Sequence, residues 1–116
     1  MPRPAALALA SLALLAPACG QRPLYYWGHY EALVYDMYAK PGSAEPAEQI
    51  EQLTEDVATA DGKGLAVPPG VHAHLGYMYL REGNAMAARS EFESEKRLYP
   101  ESAVFMDRLL ARLAAP

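Results

Sequence analysis

The sequence predicts an all-α domain of about five helices, and three observations lead to that prediction. Apolar residues recur three or four positions apart in every long segment beyond residue 28, as on one face of an α-helix. Prolines and glycines interrupt these segments at intervals typical of helix lengths in small domains. No segment alternates apolar and polar residues for long enough to form a strand. A chain of 116 residues has room for one such domain.

Residues 1–18 have the layout of a secretory signal peptide. Arg3 precedes an uncharged run of alanine and leucine at 5–16, and small residues precede Cys19. The run is shorter than the roughly 20 residues that a membrane-spanning helix needs. The alternative is an alanine-rich first helix of the folded domain, but no polar face interrupts the run as an amphipathic helix would require.

Cys19 is the only cysteine, so the chain can form no internal disulfide. Residues 15–20, LAPACG, resemble the lipobox of bacterial lipoproteins, in which the cysteine is acylated and becomes the new N-terminus. The resemblance implies a lipid anchor on Cys19, and it implies the outer membrane because Gly20 follows the cysteine. A free thiol is the alternative. Residues 19–27 would then be the lipidated cysteine and a short linker, and residues 28–116 the helical domain.

The net charge is −4, from 10 basic and 14 acidic residues. Nucleic-acid binding needs clustered positive charge, which this composition does not supply. A net negative charge also disfavours an electrostatic hold on anionic lipids. We therefore expect envelope proteins as partners and a membrane attachment through lipid, and we expect no nucleic acid.

The first helix is predicted over residues 28–40, where Asp36 and Lys40 form an i,i+4 ion pair. Ser43 is the predicted N-cap of the second helix, which residues 61–64 (DGKG) are predicted to break. Residues 65–69 read as an extended connector with two prolines. The predicted inward stripes are Tyr30, Leu33, Val34, Met37 and Tyr38, and then Ile50, Leu53, Val57 and Ala60.

Residues 68–100 are predicted to form an αα-hairpin, and a last helix is predicted after Pro100. Gly83 suits the left-handed residue that ends a helix, and Asn84 suits the N-cap of the next one. Ser102 is the predicted cap of the last helix. The inward residues are predicted to be Val71, Leu75, Met78 and Tyr79, then Ala85, Ala88, Phe92 and Tyr99, and finally Phe105, Leu109 and Leu113, with Met106 and Leu110 widening that stripe.

The hairpin resembles a tetratricopeptide repeat, a helix–turn–helix unit with large and small residues at set places. The residues that carry the resemblance are Leu75, Gly76, Tyr79, Gly83, Ala88, Phe92 and Pro100. The sequence departs from the pattern at His72, where tryptophan is favoured, and at Glu95, where alanine is favoured. The resemblance implies tetratricopeptide-like hairpins in a right-handed stack. The first two helices would be a degenerate preceding unit and the fifth a capping helix.

Most of the chain is also similar to small bacterial lipoproteins of domain-of-unknown-function family 4810. The specific parts are YWGHYE at 26–31 and PESAVFMD at 100–107. Members of that family are typically encoded beside a CsgG-like (curli-pore-type) lipoprotein. The resemblance therefore implies a component of an outer-membrane assembly or export system, with a CsgG-like lipoprotein as a possible partner. It implies no reaction and no cofactor.

The residues offer no convincing catalytic or metal-binding set. His72 and His74 are two positions apart, so on a helix they point in different directions and do not converge on one metal. We expect one of them to be packed and the other solvated. The acidic residues of the second helix follow its solvent side, and no serine or glycine-rich loop stands in a catalytic pattern. We expect a protein that is not an enzyme.

Tyrosine and tryptophan are concentrated at residues 25–38, and this cluster has three interpretations. It could be helix packing, a protein-binding face, or a membrane-interface patch around Trp27. The candidate binding residues are Tyr26, Trp27, Tyr30, Tyr35, His72 and Tyr79. The function that we predict is an outer-membrane lipoprotein that scaffolds envelope proteins of a CsgG-like export or assembly system. The alternative is a periplasmic binder of peptidoglycan or peptide that uses the aromatic first helix.

Overall fold

The computed structural model describes residues 20–115, so Cys19 and the predicted signal peptide lie outside the described residues. Within this range the chain forms five α-helices and no strand, which confirms the predicted fold class. The helices are α1 (Tyr30–Ala39), α2 (Pro46–Lys63), α3 (Val71–Arg81), α4 (Ala85–Leu98) and α5 (Ala103–Ala114). A single 3-10 turn, Pro100–Ser102, joins α4 to α5.

From α2 to α5, each helix packs against the next one along the chain, as in a helical repeat. Two clusters of buried side chains form the core, and the half-buried ring of Tyr79 contacts both of them. The first cluster joins α1, α2 and α3, and the second joins α4 and α5. Their buried members are Leu33, Leu53, Val71 and Leu75 in the first, and Ala88, Phe92, Met106 and Leu110 in the second.

The α3–α4 hairpin is closed by the predicted residues. A Cβ atom on Gly76 would overlap the Phe92 ring, so glycine is what lets the two helices approach at this point. Gly83 has φ +76°, and the Asn84 side chain accepts a hydrogen bond from the Ala87 amide at 3.0 Å. Both predicted ends of this turn are therefore confirmed, and so is the Asp36–Lys40 ion pair, at 3.2 Å.

The predicted N-cap of α2 is wrong, whereas the helix ends within residues 61–64 as predicted. Glu45, not Ser43, is the N-cap, because Pro46 fixes the first helical φ and needs no hydrogen-bond acceptor for its nitrogen. The helix continues through Gly62 and ends at Gly64, which has φ +62°. Only this second glycine takes the left-handed conformation that terminates a helix.

Three details of the outer helices also differ from the prediction. Ser102 is at the predicted N-cap position of α5, but its side chain does not cap the helix, because the hydroxyl donates to the Tyr99 carbonyl at 2.7 Å. In α5 the buried face is centred on Met106 and Leu110, whereas Phe105 is 58% exposed. Tyr38, predicted on the inward stripe of α1, is 77% exposed. The predicted helical period is correct. The positions of α3 and α4 decide which edge of each apolar stripe is buried and which is exposed to solvent.

Residues 22–26, assigned from the sequence to a linker, lie along the body of the domain. Tyr25 and Ala66 form an isolated parallel bridge, in which the Tyr26 amide donates to the Ala66 carbonyl at 3.0 Å. The Ala66 amide in turn donates to the Leu24 carbonyl at 3.2 Å. The predicted extended connector thus serves as the pairing edge for the chain that enters the domain.

Candidate functional site

Two buried carboxylates hold the first helix of each hairpin at its N-terminus. Asp56 of α2 accepts hydrogen bonds from the His29 amide at 2.7 Å and pairs with the His29 ring nitrogen at 3.0 Å. Glu95 of α4 accepts from the amides of Gly70 at 2.8 Å and Ala73 at 3.3 Å. Each carboxylate satisfies amides that lack a partner within the helix and sits at the positive end of the helix dipole.

This arrangement explains Glu95, the residue that departs from the tetratricopeptide pattern. Its side chain is 3% exposed, and both of its oxygens accept hydrogen bonds from the start of α3. Asp56, 5% exposed, has the same relation to the start of α1. Sequence reasoning assigned the acidic residues of α2 to the solvent side, which is wrong for Asp56. The two carboxylates are structural, because their oxygens are already occupied by the protein's own donors.

The three histidines contact three different partners. His72 is hydrogen-bonded to Glu91 of α4 at 2.6 Å, and His74 to Gln49 of α2 at 2.7 Å. Both side chains are part-buried, so the expectation that one of them is solvated is wrong. Burial lowers the pKa of His74 below its usual 6.5, which keeps its ring neutral at pH 7. Residues 20–115 contain no group of three or more potential metal ligands.

A row of aromatic rings runs from the entering chain to α3. Tyr25 meets Trp27 edge-on with ring centroids 5.8 Å apart, and Trp27 stacks on Tyr30 at 6.4 Å and 13°. Tyr30 then meets the His74 ring edge-on at 5.9 Å. Trp27 is 41% exposed, so one part of the row faces solvent while Tyr30 packs against the first core cluster.

The predicted binding residues do not form one site. Trp27 and Tyr30 are stacked, and Tyr26 lies nearby with the Lys63 ammonium 4.7 Å from its ring centroid. Tyr35 is 67% exposed on α1, His72 is turned toward α4, and Tyr79 packs in the core. The structure therefore separates the predicted set into a small aromatic group around Trp27 and three isolated side chains.

A groove of about 590 Å³ lies along the alternate helices α1, α3 and α5, with Phe92 of α4 at its base. Each of these three helices contributes one exposed aromatic ring: Tyr38 at 77%, Tyr77 at 48% and Phe105 at 58%. We call this surface the aromatic groove. The other residues that line it are Met37, Ala73, His74, Leu80, Leu109 and Arg112.

Sequence reasoning missed the aromatic groove, although one signal was available. Tyr77 lies outside the stripe of Val71, Leu75 and Met78, so a large ring stands off the buried face of its own helix. Tyr38 and Phe105 were counted as inward residues, and only the packing of three helices shows them around one concavity. Arg112 is the only lining residue that is charged at pH 7, because His74 is neutral there.

Comparison with known proteins adds a family and nothing more specific. A protein-family model described as "Domain of unknown function (DUF4810)" matches residues 24–109, which include all of the first four helices and more than half of α5. No curated protein and no solved structure shows significant similarity to the chain. Among residues 20–115, none of the helices has both the length and the apolar character that crossing a membrane requires. On the family match, the chain belongs to the DUF4810 family.

Proposed function

We propose that this chain is a non-enzymatic lipoprotein, anchored to the outer membrane through Cys19, that scaffolds an envelope protein in the aromatic groove. The observation that carries the proposal is the convergence of Tyr38, Tyr77 and Phe105 from three separate helices. Contiguous exposed apolar surface is uncommon on monomeric proteins and usually marks a contact site. Aromatic rings in a concavity are the side chains that dominate binding energy at interfaces.

The charge of the groove narrows the class of partner. The described residues that line it include no carboxylate, although the chain as a whole has a net charge of −4, and they include one arginine, Arg112. An apolar segment of a partner, with a carboxylate placed to reach Arg112, would satisfy both features. A CsgG-like lipoprotein is the partner that the family resemblance suggests.

Pull-down from detergent-solubilised envelopes tests the scaffold. Tyr77→Ala and Phe105→Ala change exposed rings of the groove, so both variants should fold as the wild type does. If the rings are central to the contact, each variant weakens capture of the partner by about tenfold or more. Tyr35→Ala is the matched control, because Tyr35 is a still more exposed aromatic residue that does not line the groove. Recovery of no envelope protein, or equal recovery by all three variants, would contradict the proposal.

The anchor has an independent test. Mass spectrometry of the mature N-terminus should find an acylated cysteine that begins the chain, and Cys19→Ala should abolish both the acylation and membrane partition. An unmodified thiol on a membrane-associated protein would remove the lipid anchor from the proposal. The groove and its partner would be untouched by that result.

A second candidate function is binding to peptidoglycan or peptide, and the exposed ring of Trp27 favours it. Trp27 is stacked on Tyr30 and presents its free area to solvent, an arrangement on which a sugar ring or an aromatic side chain can stack. Sedimentation with purified peptidoglycan separates the two functions. Binding that is lost in Trp27→Ala and kept in Phe105→Ala would support the glycan binder; the scaffold gives the opposite pattern with envelope proteins.

A further inference from the structure

A second cavity, of about 760 Å³, shares no lining residue with the aromatic groove. It lies where α2, the connector before α3, the end of α4 and the entering chain meet, and its walls are mostly apolar. We call it the arm pocket, after the arm formed by residues 20–26. The aliphatic side chains that line it are Leu24, Val57, Ala58, Leu65, Ala66, Val67 and Leu98.

The polar groups of the arm pocket are few and largely satisfied. The Tyr99 hydroxyl donates to the Val67 carbonyl, and burial, with the nearby Tyr25, raises the pKa of Tyr99 to about 12. That hydroxyl therefore stays uncharged at any physiological pH. Asp61, the only charged side chain of the lining, is exposed. A pocket of this kind suits a long apolar ligand that brings no charge of its own.

The arm passes beside the pocket and is held in place. The arm carbonyl of Leu24 and amide of Tyr26 both hydrogen-bond to Ala66, and the Arg22 guanidinium donates to the Lys63 carbonyl at 2.5 Å and to the Gly64 carbonyl at 3.4 Å. A guanidinium is favourable there because the C-terminal end of α2 is the negative end of its dipole. The point from which the N-terminal anchor leaves the domain is thus set by the fold.

Cys19 is three residues before Arg22 and five before Leu24. Since an extended chain spans about 3.3–3.6 Å per residue, Cys19 cannot lie more than about 11 Å from the backbone of Arg22. A hydrocarbon chain on Cys19 starts within its own length of the apolar wall formed by α2 and the connector. An acyl chain on Cys19 is therefore close enough to reach the arm pocket.

We propose that the arm pocket takes one acyl chain of the lipid carried by Cys19. This inference rests on the anchoring part of the proposed function and does not involve the aromatic groove. One chain sheltered against Val57, Ala58 and Leu65 leaves the others in the bilayer, so the protein is held close to the membrane but more weakly than its acyl count would give. The pocket also sets the domain's orientation, with the arm side toward the lipid.

Photo-crosslinking in the acylated full chain tests the occupant directly. Ala58 lines the pocket on an exposed side of α2, and Ala47 is an exposed alanine outside the pocket, about 16 Å away on the same helix. Photo-leucine, a diazirine residue about the size of leucine that leaves room for a ligand, should crosslink from position 58 to the acylated N-terminal peptide of the same chain, with a yield about tenfold above that from position 47. Crosslinks at position 58 only to phospholipid, or only to another protein, would overturn the inference, as would equal yields at the two positions.

A second measurement, the rate of protein transfer between vesicles, tests whether the pocket weakens membrane binding. Ala58→Trp fills the pocket and returns the acyl chain to the bilayer, so the variant should move between phosphatidylcholine vesicles about tenfold more slowly than wild type. Ala47→Trp should transfer at the wild-type rate. Equal transfer by the two variants would overturn the inference while leaving the anchor itself intact. An unmodified Cys19 would overturn both the inference and the anchor, and a failed pull-down would bear only on the groove.

Discussion

The hairpins α1–α2 and α3–α4 begin with the same device but are packed differently. In each, a left-handed glycine, Gly28 or Gly70, leads into the first helix, whose N-terminal amides bind a buried carboxylate of the second helix. In the second hairpin, Gly76 also brings α3 into direct contact with the Phe92 ring. In the first, α1 has one buried residue, Leu33, and leaves the rings of Tyr35 and Tyr38 exposed. The second hairpin is thus the rigid support, and α1 is the helix that presents side chains.

The core residues of the two hairpins give the largest expected difference. Phe92→Ala empties a completely buried site between helices and should lower the free energy of unfolding by about 3–5 kcal/mol. Leu33→Ala, at the edge of α1, should cost about 2 kcal/mol, the lower end of the range for buried leucine. Urea denaturation followed by circular dichroism measures both values. Equal losses would mean that α1 is docked as firmly as α3, and would break the comparison.

The two capping carboxylates should differ in the same direction. Glu95→Ala leaves the part-buried amides of Gly70 and Ala73 without an acceptor and should cost about 2–3 kcal/mol of unfolding free energy. Asp56→Ala should cost about 1 kcal/mol, because it caps the more exposed start of α1. The same denaturation experiment checks the order. A larger loss for Asp56→Ala would show that the first hairpin depends more on its cap than the second.

Two glycine substitutions isolate the close helix contact. Gly76→Ala places a methyl group against the Phe92 ring and should destabilise the domain by about 1–3 kcal/mol. Gly62→Ala is the matched control within α2, where a Cβ meets no atom within 4 Å. It should stabilise the domain by about 0.5–1 kcal/mol through helix propensity. Gly76→Ala should therefore lower the melting temperature and Gly62→Ala should raise it. Shifts of the same sign would show that close packing at Gly76 does not determine how α3 approaches α4.

The smallest expected effect is a pH dependence of the unfolding free energy, which arises at the contact between α1 and His74. His74 contacts Tyr30 of α1 and Gln49 of α2, and burial lowers its folded-state pKa below 6.5. Below about pH 6.5 the unfolded chain therefore binds more protons than the folded one, so stability falls as the pH drops from neutral and levels off below the folded-state pKa. Denaturation at about pH 7.5 and about pH 5.5 measures the change. In His74→Gln, whose side chain cannot titrate, the loss of stability between these two pH values should be smaller. If the variant loses as much stability as the wild type, His74 is not the source of the pH dependence.

The sequence by itself determined the fold class, the number of helices and the turn of the second hairpin. These depend on local physics, namely helical periodicity, the left-handed preference of Gly83 and the capping ability of Asn84, and such preferences act within a few residues. The family could also be identified from the sequence, from the motifs at 26–31 and 100–107. The lipid anchor on Cys19 and the CsgG-like partner stay predictions.

Tertiary structure alone decided which residues share a surface. The aromatic groove joins Tyr38, Tyr77 and Phe105 across most of the domain, and the arm pocket joins Leu24 to Leu98. Glu95 departs from the tetratricopeptide pattern, and only the structure explains why, because its carboxylate binds the backbone at the start of α3. Periodicity specifies a face to within an edge residue or two, and the position of the neighbouring helix decides whether that edge is buried or exposed. That position depends on contacts between residues far apart in the chain, which no local pattern contains.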